Sequence, residues 1–406
     1  MSILYRVLKG KKRTYSMKVA IVHDYIKEYG GAERVLEELL RTYPKADVYT
    51  ALYYPSSLGP HRARFQKYRI KESFFRYIPF AYKLISPLRV LSPLAFYLMD
   101  LSGYDVVIVS QTGAYFPNLV KTKSGNEPTI MNHEARKTNT KQNGAFHICY
   151  THTPPRYLYG YMTAREWKKN PIVRVVAELV NHFLRIVDYH ASLRVDQFIA
   201  NSNEVASRIE KFYRREAKVI YPPVAVNPKS ETRNSNAKEY YLAGGRLARA
   251  KGMDVILEAF IQSGKPLKIF GKGFAGYAEE LIAKIKNNES RIEFVGEITD
   301  EEKLELMRGA KAYIFASFDE DFGITPVEAM SVGTPVVAYA SGGVKETVVD
   351  EKTGVFYSPN TEEELNKAIN KLERLKIEKS DCVAQAKKFS DQRFREEVKK
   401  LVVSLV

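Results

Sequence analysis

"KVAIVHDYIKEYGGAERVLEELLRTY", residues 18–43, begins as an apolar run and ends in a helical pattern. Residues 18–25 lack the polar alternation of a half-solvated strand, so they predict a strand covered on both faces. Gly30 and Gly31 interrupt the chain, and "AERVLEELLRTY" then places apolar residues at helical spacing. Strand, glycine loop and helix in that order is the opening unit of a parallel α/β sheet.

The same grammar recurs along the chain. "DVYTALYY", "YDVVIVSQT" and "FHICYTH" (146–152) predict further strands, and "VDQFIANSNEVASRIEKFY" reads as strand, loop and helix before "KVIYPPV". Residues 221–239, "YPPVAVNPKSETRNSNAKE", are proline-rich and then polar without apolar period, which marks a linker. A second series follows: "YYLAGGRL", a helix from Met253, "LKIFGKG", a helix from Tyr277, "RIEFVGEI", a helix over 300–309, "KAYIFAS", a helix over 326–332 and "TPVVAYA". The end, "SDQRFREEVKKLVVSLV", is an amphipathic helix. The expected limits are a basic extension 1–16, a first domain 17–225, a second 226–385, and a terminal helix 386–406 that returns to the first domain.

Composition restricts the class. Hydrophobic residues make up 45% and charged residues 27% of 406, as in a folded globular protein. Two distant cysteines, Cys149 and Cys382, support neither a disulfide framework nor a cysteine zinc site, and suit a reducing cytoplasm. No apolar run approaches the ~18 residues of a membrane span. "MSILYRVLKGKKRTYS" has five basic residues and no apolar segment after them, so it does not read as a secretory signal.

Charge is concentrated in one half. Residues 1–225 hold 35 Lys and Arg against 18 Asp and Glu, a net of +17, whereas the remainder holds 28 against 29, which together give the chain's +16. Such a field favours an anionic partner: nucleic acid, acidic lipid or a phosphorylated substrate. Residues 61–99 carry eight Lys/Arg, one acid (Glu72) and nine Phe/Tyr. They are either a helical excursion whose aromatics face the core or a face that lies on an anionic membrane or takes a lipid-linked substrate.

Three motifs in the second half could carry chemistry. Gly271, Gly273 and Gly276 match G-x-G-x-x-G, with acids at Glu293 and Glu297 near the distance of a ribose ligand. This dinucleotide reading is weakened because a complete strand–helix unit precedes it. Asp319 and Asp321 form a literal D-x-D, a metal-diphosphate pattern that is common by chance. Finally, "GGRLARAKG" (244–252) offers Arg246 and Lys251 from the end of a parallel strand, well placed for a diphosphate. In "FDEDFGITPVEAM" (318–330), Thr325 suits a helix N-cap, Pro326 the first helical position and Glu328 a capping box. Gly323 allows close backbone approach to the anion site formed by the helix N–H groups.

The stretch from Ala316 to Tyr357, with "GRLARAKG", "GGAERV" and "YTHTPPRYLY", resembles the family 4 retaining glycosyltransferases. Glu320 and Glu328 have the spacing of that family's E-x₇-E motif, and "HTPPRY" is similar to its mannosyltransferase-like members. The resemblance implies an α/β fold of the GT-B type, two Rossmann-like domains facing each other across a cleft, with donor in the second and acceptor largely in the first. It implies that Arg246 and Lys251 bind the donor diphosphate, Glu328 the nucleotide ribose, and Glu320 the transferred sugar, assisted by the backbone at Phe322, Gly323 and Ile324. Gly30 and Gly31 would line the first-domain loop near the phosphates, and His152 would stand at the reaction centre.

The expected partners are a nucleotide sugar (GDP-mannose or UDP-glucose), a lipid-linked or glycan acceptor and an anionic membrane surface met by the basic half. No metal, other cofactor or nucleic acid is expected. The expected localisation is cytoplasmic, peripheral at the inner membrane face. Two other readings stay open: a sugar-nucleotide epimerase of the same fold, and a basic membrane- or nucleic-acid-binding protein.

Overall fold

The computed structural model describes residues 17–123, 144–162, 171–225, 239–273, 276–286 and 291–405. The basic stretch 1–16 and the linker positions 226–238 lie outside the described residues.

Seven strands form the first sheet: β1 (Val19–His23), β2 (Asp47–Thr50), β3 (Ile70–Glu72), β4 (Val106–Gln111), β5 (Phe146–Thr151), β6 (Gln197–Ala200) and β7 (Ala217–Val219). Their spatial order is β3-β2-β1-β4-β5-β6-β7. Six strands form the second: β8 (Tyr240–Gly244), β9 (Leu267–Phe270), β10 (Ile292–Gly296), β11 (Ala310–Phe315), β12 (Val336–Tyr339) and β13 (Gly354–Tyr357), ordered β10-β9-β8-β11-β12-β13. β1 pairs in parallel with β2 and β4, and β8 with β9 and β11. The two parallel, Rossmann-like sheets expected from the sequence are therefore present. By internal packing the chain divides into two compact units, one of Met1–Tyr150, His190–Gln197 and Leu405–Val406, the other of Thr151–Tyr189 and Phe198–Ser404.

The apolar runs are explained by two-sided burial. On one face of the second sheet, Tyr241, Ala243, Ala312, Ile314 and Val337 pack with Leu257 and Phe260 of the helix Met253–Ser263 and Leu365 of the helix Glu362–Arg374. On the other, Leu242, Tyr313, Phe315 and Ala338 pack with Met307 of the helix Asp300–Gly309, Val327 and Met330 of the helix Ile324–Ser331, and Ala386. Consecutive strand residues point to opposite faces, so both parities must be apolar. β3, β13 and the helix Pro171–Ser192 are additional to the sequence reading. β3 is three residues long and half-buried, too short to show a pattern.

The glycine motif after β9 serves packing between loops. Gly271 has φ +134°, and a Cβ there would stand 1.9 Å from the Gly245 carbonyl oxygen. Its N–H donates to the Gly296 carbonyl at 2.8 Å. Glu293 and Glu297, the would-be ribose acids, lie 3.0 Å from Lys268 and 3.3 Å from Lys272. Gly271 thus lets three strand ends approach one another, which accounts for the glycine without a dinucleotide.

Candidate active site

In an open parallel sheet, ligands collect at the carboxyl ends of the strands where the winding direction reverses. In the second sheet that point lies between β8 and β11, because β9 and β10 extend to one side and β12 and β13 to the other. The loop after β8 is "GRLARAKG" and the loop after β11 is "ASFDEDFG". Topology therefore brings together two motifs that are about seventy residues apart in sequence.

Their meeting point is an ion pair. Lys251, at the end of the turn Arg249–Lys251, donates from Nζ to Glu320 Oε2 at 2.5 Å. Ser317 Oγ donates to the same oxygen at 2.5 Å. Among the described residues, Glu320 Oε1 has no hydrogen-bond partner. The Glu320 side chain is 15% exposed. Burial alone would raise its pKa, but the Lys251 ammonium, the Ser317 hydroxyl and the Arg156 guanidinium together hold it below the ordinary glutamate value.

The backbone carrying Glu320 is tied at successive residues. Phe318 N–H donates to the Ala250 carbonyl (2.9 Å) and Asp319 N–H to Ser341 Oγ (3.1 Å). The Glu320 carbonyl accepts from Gly343 N–H at 2.8 Å, and a Cβ on Gly342 would fall 2.2 Å from that carbonyl oxygen. The Asp321 carbonyl accepts from Ser202 Oγ at 2.5 Å. Asp319 itself adopts φ +47°. Asp321 Oδ1 receives both Arg156 Nη2 (2.8 Å) and Arg208 Nη1 (2.5 Å). The D-x-D reading is disfavoured on this ground, since the Asp321 carboxylate is already met by two guanidinium groups.

The helix that follows corrects one expectation. It runs Ile324–Ser331 with Gly323 as N-cap at φ +88°, and no side-chain cap bond is made. Thr325 is thus the second helical residue, not the N-cap, and its hydroxyl meets Tyr313. Glu328 lies in the second turn, beyond reach of a capping box, and accepts from Lys303 Nζ at 2.7 Å in a buried pair. The left-handed Gly323 turns the chain into the helix two residues before the position that favourable cap chemistry suggests. Pro326 falls at the third helical position, where the N–H it lacks would be unpaired in any case.

The remaining expected residues are less concentrated. Arg246 is exposed in the turn after β8. The Phe322 side chain is buried against Tyr221 and Phe389, leaving only its backbone to the loop. His152 follows β5, and its carbonyl accepts from Asn201 Nδ2 at 2.9 Å. In the first unit Gly30 precedes the helix Gly31–Thr42, and its N–H donates to Glu33 Oε2 at 2.9 Å. At the reversal point of that sheet, Asp24 Oδ2 accepts from Thr112 Oγ1 (2.5 Å) and from the Ala114 and Tyr115 N–H groups. Burial raises the Asp24 pKa, with His23 and those donors opposing it.

Sequence reading did not identify Ser317, Arg156 or Arg208 as site residues, and it gave Asp321 only as half of a D-x-D metal pattern. Arg156 lies inside "HTPPRY", which gave a signal for that loop though not for the residue. Arg208 occupies the helix Asn203–Tyr213 as one basic residue among several, and nothing local distinguishes it.

Residues 29–227 match the family model described as Glycosyltransferase Family 4, and residues 227–389 the one described as Glycosyl transferases group 1. The chain belongs to glycosyltransferase family 4. It is similar to the alpha-1,3/1,6-mannosyltransferase ALG2 of Dictyostelium discoideum, 28% identical over 323 residues, which cover 68% of this chain and 69% of that one. In fold it is similar to sucrose-phosphate synthase from Thermosynechococcus elongatus (TM-score 0.66, 19% identity, 96% of this chain and 99% of that one). Anabaena HepE, solved with UDP-glucose, gives a TM-score of 0.62 at 20% identity, covering 96% of this chain and 100% of that one. The enzyme is thus a glycosyltransferase of the GT-B type.

Glu320 makes stability depend on pH with a defined sign. A carboxyl whose folded pKa is lowered adds stability that is present above its unfolded pKa and is lost as pH falls through the folded one. Glu320→Gln is expected to lower the melting temperature at pH 7 by about 2–4 °C, with the difference shrinking as pH falls below the ordinary glutamate value and through the lowered folded one. Thermal unfolding of both proteins across pH 3–8 measures it.

Proposed function

We propose that the enzyme is a retaining, metal-independent hexosyltransferase, moving mannose in preference to glucose from a nucleotide sugar to a lipid-linked or glycan acceptor. The observation that carries this reading is the Lys251–Glu320 pair at the reversal point of the second sheet, in a family 4 chain. Similarity to an alpha-1,3/1,6-mannosyltransferase supports the sugar. Residues 226–385 would hold the donor and residues 17–225 the acceptor, with the helix 386–406 returning to the first domain.

Departure of a nucleoside diphosphate builds negative charge on its β-phosphate. Lys251, Arg246 and the N–H groups at Ile324 and Thr325 would meet that charge, the task a divalent ion performs elsewhere. Glu320 holds the Lys251 ammonium through Oε2 and would accept hydroxyls of the transferred sugar on Oε1. Glu328, held by Lys303, would take the ribose hydroxyls, and the loop at Gly30 and Gly31 would approach the phosphates. No carboxylate is assigned as a nucleophile. In a front-face substitution the bond from anomeric carbon to phosphate oxygen breaks as the acceptor oxygen bonds to the same face, and the leaving phosphate takes the acceptor's proton. His152, which follows β5, would stand at the reaction centre beside the donor sugar.

The basic excursion supports a membrane-facing role. Phe65, Phe75 and Phe96 are buried, whereas Tyr77 (78% exposed), Phe80 (66%), Leu94 and Leu98 (60%) are not. Arg76 and Lys83 stand among these exposed apolar residues. One side of the excursion is thus core and the other suits an anionic bilayer, with apolar groups at the interface and cations on headgroups. Among the described residues no helix is long and apolar enough to cross a membrane. A peripheral position at the cytoplasmic face is the corresponding proposal for localisation.

Turnover of GDP-mannose and UDP-glucose measures the site. Glu320→Ala and Lys251→Ala are each expected to lower it roughly 10²–10³-fold with the fold intact, and EDTA is expected to leave the wild type unchanged; full activity in both variants would remove the assignment. Co-sedimentation measures the membrane face. Vesicles containing about one-third anionic lipid are expected to bind the wild type in a salt-sensitive manner, and to bind a Tyr77→Ser, Phe80→Ser, Leu98→Ser variant less. Equal binding of both proteins, or preference for duplex DNA, would contradict it.

A further inference from the structure

Asp321 is the carboxylate around which the catalytic loop is organised. Its Oδ1 accepts from Arg156 Nη2 at 2.8 Å and Arg208 Nη1 at 2.5 Å. Both guanidinium groups also donate from Nη2 to the Asp319 carbonyl, Arg208 at 3.0 Å. Each of the two cations therefore holds the chain on both sides of Glu320, through the Asp321 side chain and through the Asp319 backbone oxygen. Arg156 comes from "HTPPRY" and is 20% exposed; Arg208 is 2% exposed and is itself braced by Glu204 Oε1 (3.0 Å), Thr153 Oγ1 (3.3 Å) and the Tyr161 ring. All of these residues belong to the second compact unit.

The charges are arranged to act on geometry. Arg208 spans Asp321 Oδ1 and the Asp319 carbonyl with its two Nη atoms and Arg156 meets both oxygens through Nη2, and two planar guanidinium groups so placed leave the backbone at 319–321 little freedom to rotate. Asp319 needs that restraint because its φ of +47° is uncommon for a residue with a side chain. Where residues 319–321 stand decides where Glu320 presents its carboxyl to Lys251.

We propose that Asp321, with Arg156 and Arg208, is a positioning residue for Glu320: it touches no substrate and sets the loop that makes Glu320 effective. This rests on the glycosyltransferase reading for its kinetic consequence only; its structural consequence is independent of any substrate.

Two measurements test it on the full chain. Hydrogen–deuterium exchange reads the loop directly: Asp321→Asn keeps the shape and removes the charge, and the amides of Phe318, Asp319 and Gly343 should lose protection about tenfold or more while the other strands keep theirs. Arg156→Lys, which retains the charge without the planar guanidinium, should give a smaller loss at the same amides. Unchanged protection in both variants, or a uniform loss over the chain, would overturn the proposal. The second measurement is a double-mutant cycle on turnover of GDP-mannose and UDP-glucose. Asp321→Asn should lower kcat roughly 10²-fold with donor KM changed less than about threefold, and should add nothing in the Glu320→Gln background, because it acts through Glu320. Additive losses would contradict the proposal. If the wild type turns over neither donor, the donor reading fails and the exchange experiment still decides the positioning role.

Discussion

The ammonium of Lys251 against the carboxylate of Glu320 is the contact that joins the two loops at the second sheet's point of reversal. It forms between loops from two neighbouring strands of a parallel sheet at the point where its winding reverses, so the pair exists only once β8 and β11 lie side by side. Parallel strands place their carboxyl ends together, and that is why residues from distant parts of the sequence converge there. A partly buried ion pair of this kind contributes little net stability, because desolvation offsets attraction. Its use is to hold a cation and an anion at fixed positions.

Around that pair the structure spends its polar contacts on the backbone. Ser341, Gly343 and Ser202 bind three consecutive backbone segments of the loop, and Ser317 shares Glu320 Oε2 with Lys251. Gly342 and Gly343 are required because the neighbouring strand end passes within contact of Glu320 and Asp321; any side chain there would strike a carbonyl. The loop is thus preorganised, as electrostatic stabilisation of a leaving group requires.

Sheet and fold class were legible because burial on both faces writes apolar residues at every strand position, as in Val19–Val22 and Val336–Ala338. Glu320, Lys251 and Glu328 were legible as motif positions. What was not legible depended on contacts between distant segments. Asp321 looked like part of a metal motif, and only its proximity to Arg156 and Arg208 gives it a role. The N-cap was misplaced for the reverse reason: Thr325-Pro326 and Glu328 are good local cap chemistry, but Gly323 in a left-handed conformation begins the helix earlier and Lys303 takes the glutamate. Local propensity was outweighed by tertiary placement in both cases.

If the second sheet holds the donor as argued, its diphosphate must lean on Lys251. Calorimetric titration of the wild type and of Lys251→Met with GDP and with UDP tests this without an acceptor or a transferred sugar. The account predicts that the preferred nucleotide binds the variant about tenfold or more weakly, as expected for loss of one charge-assisted contact. Equal affinity in the two proteins would contradict it.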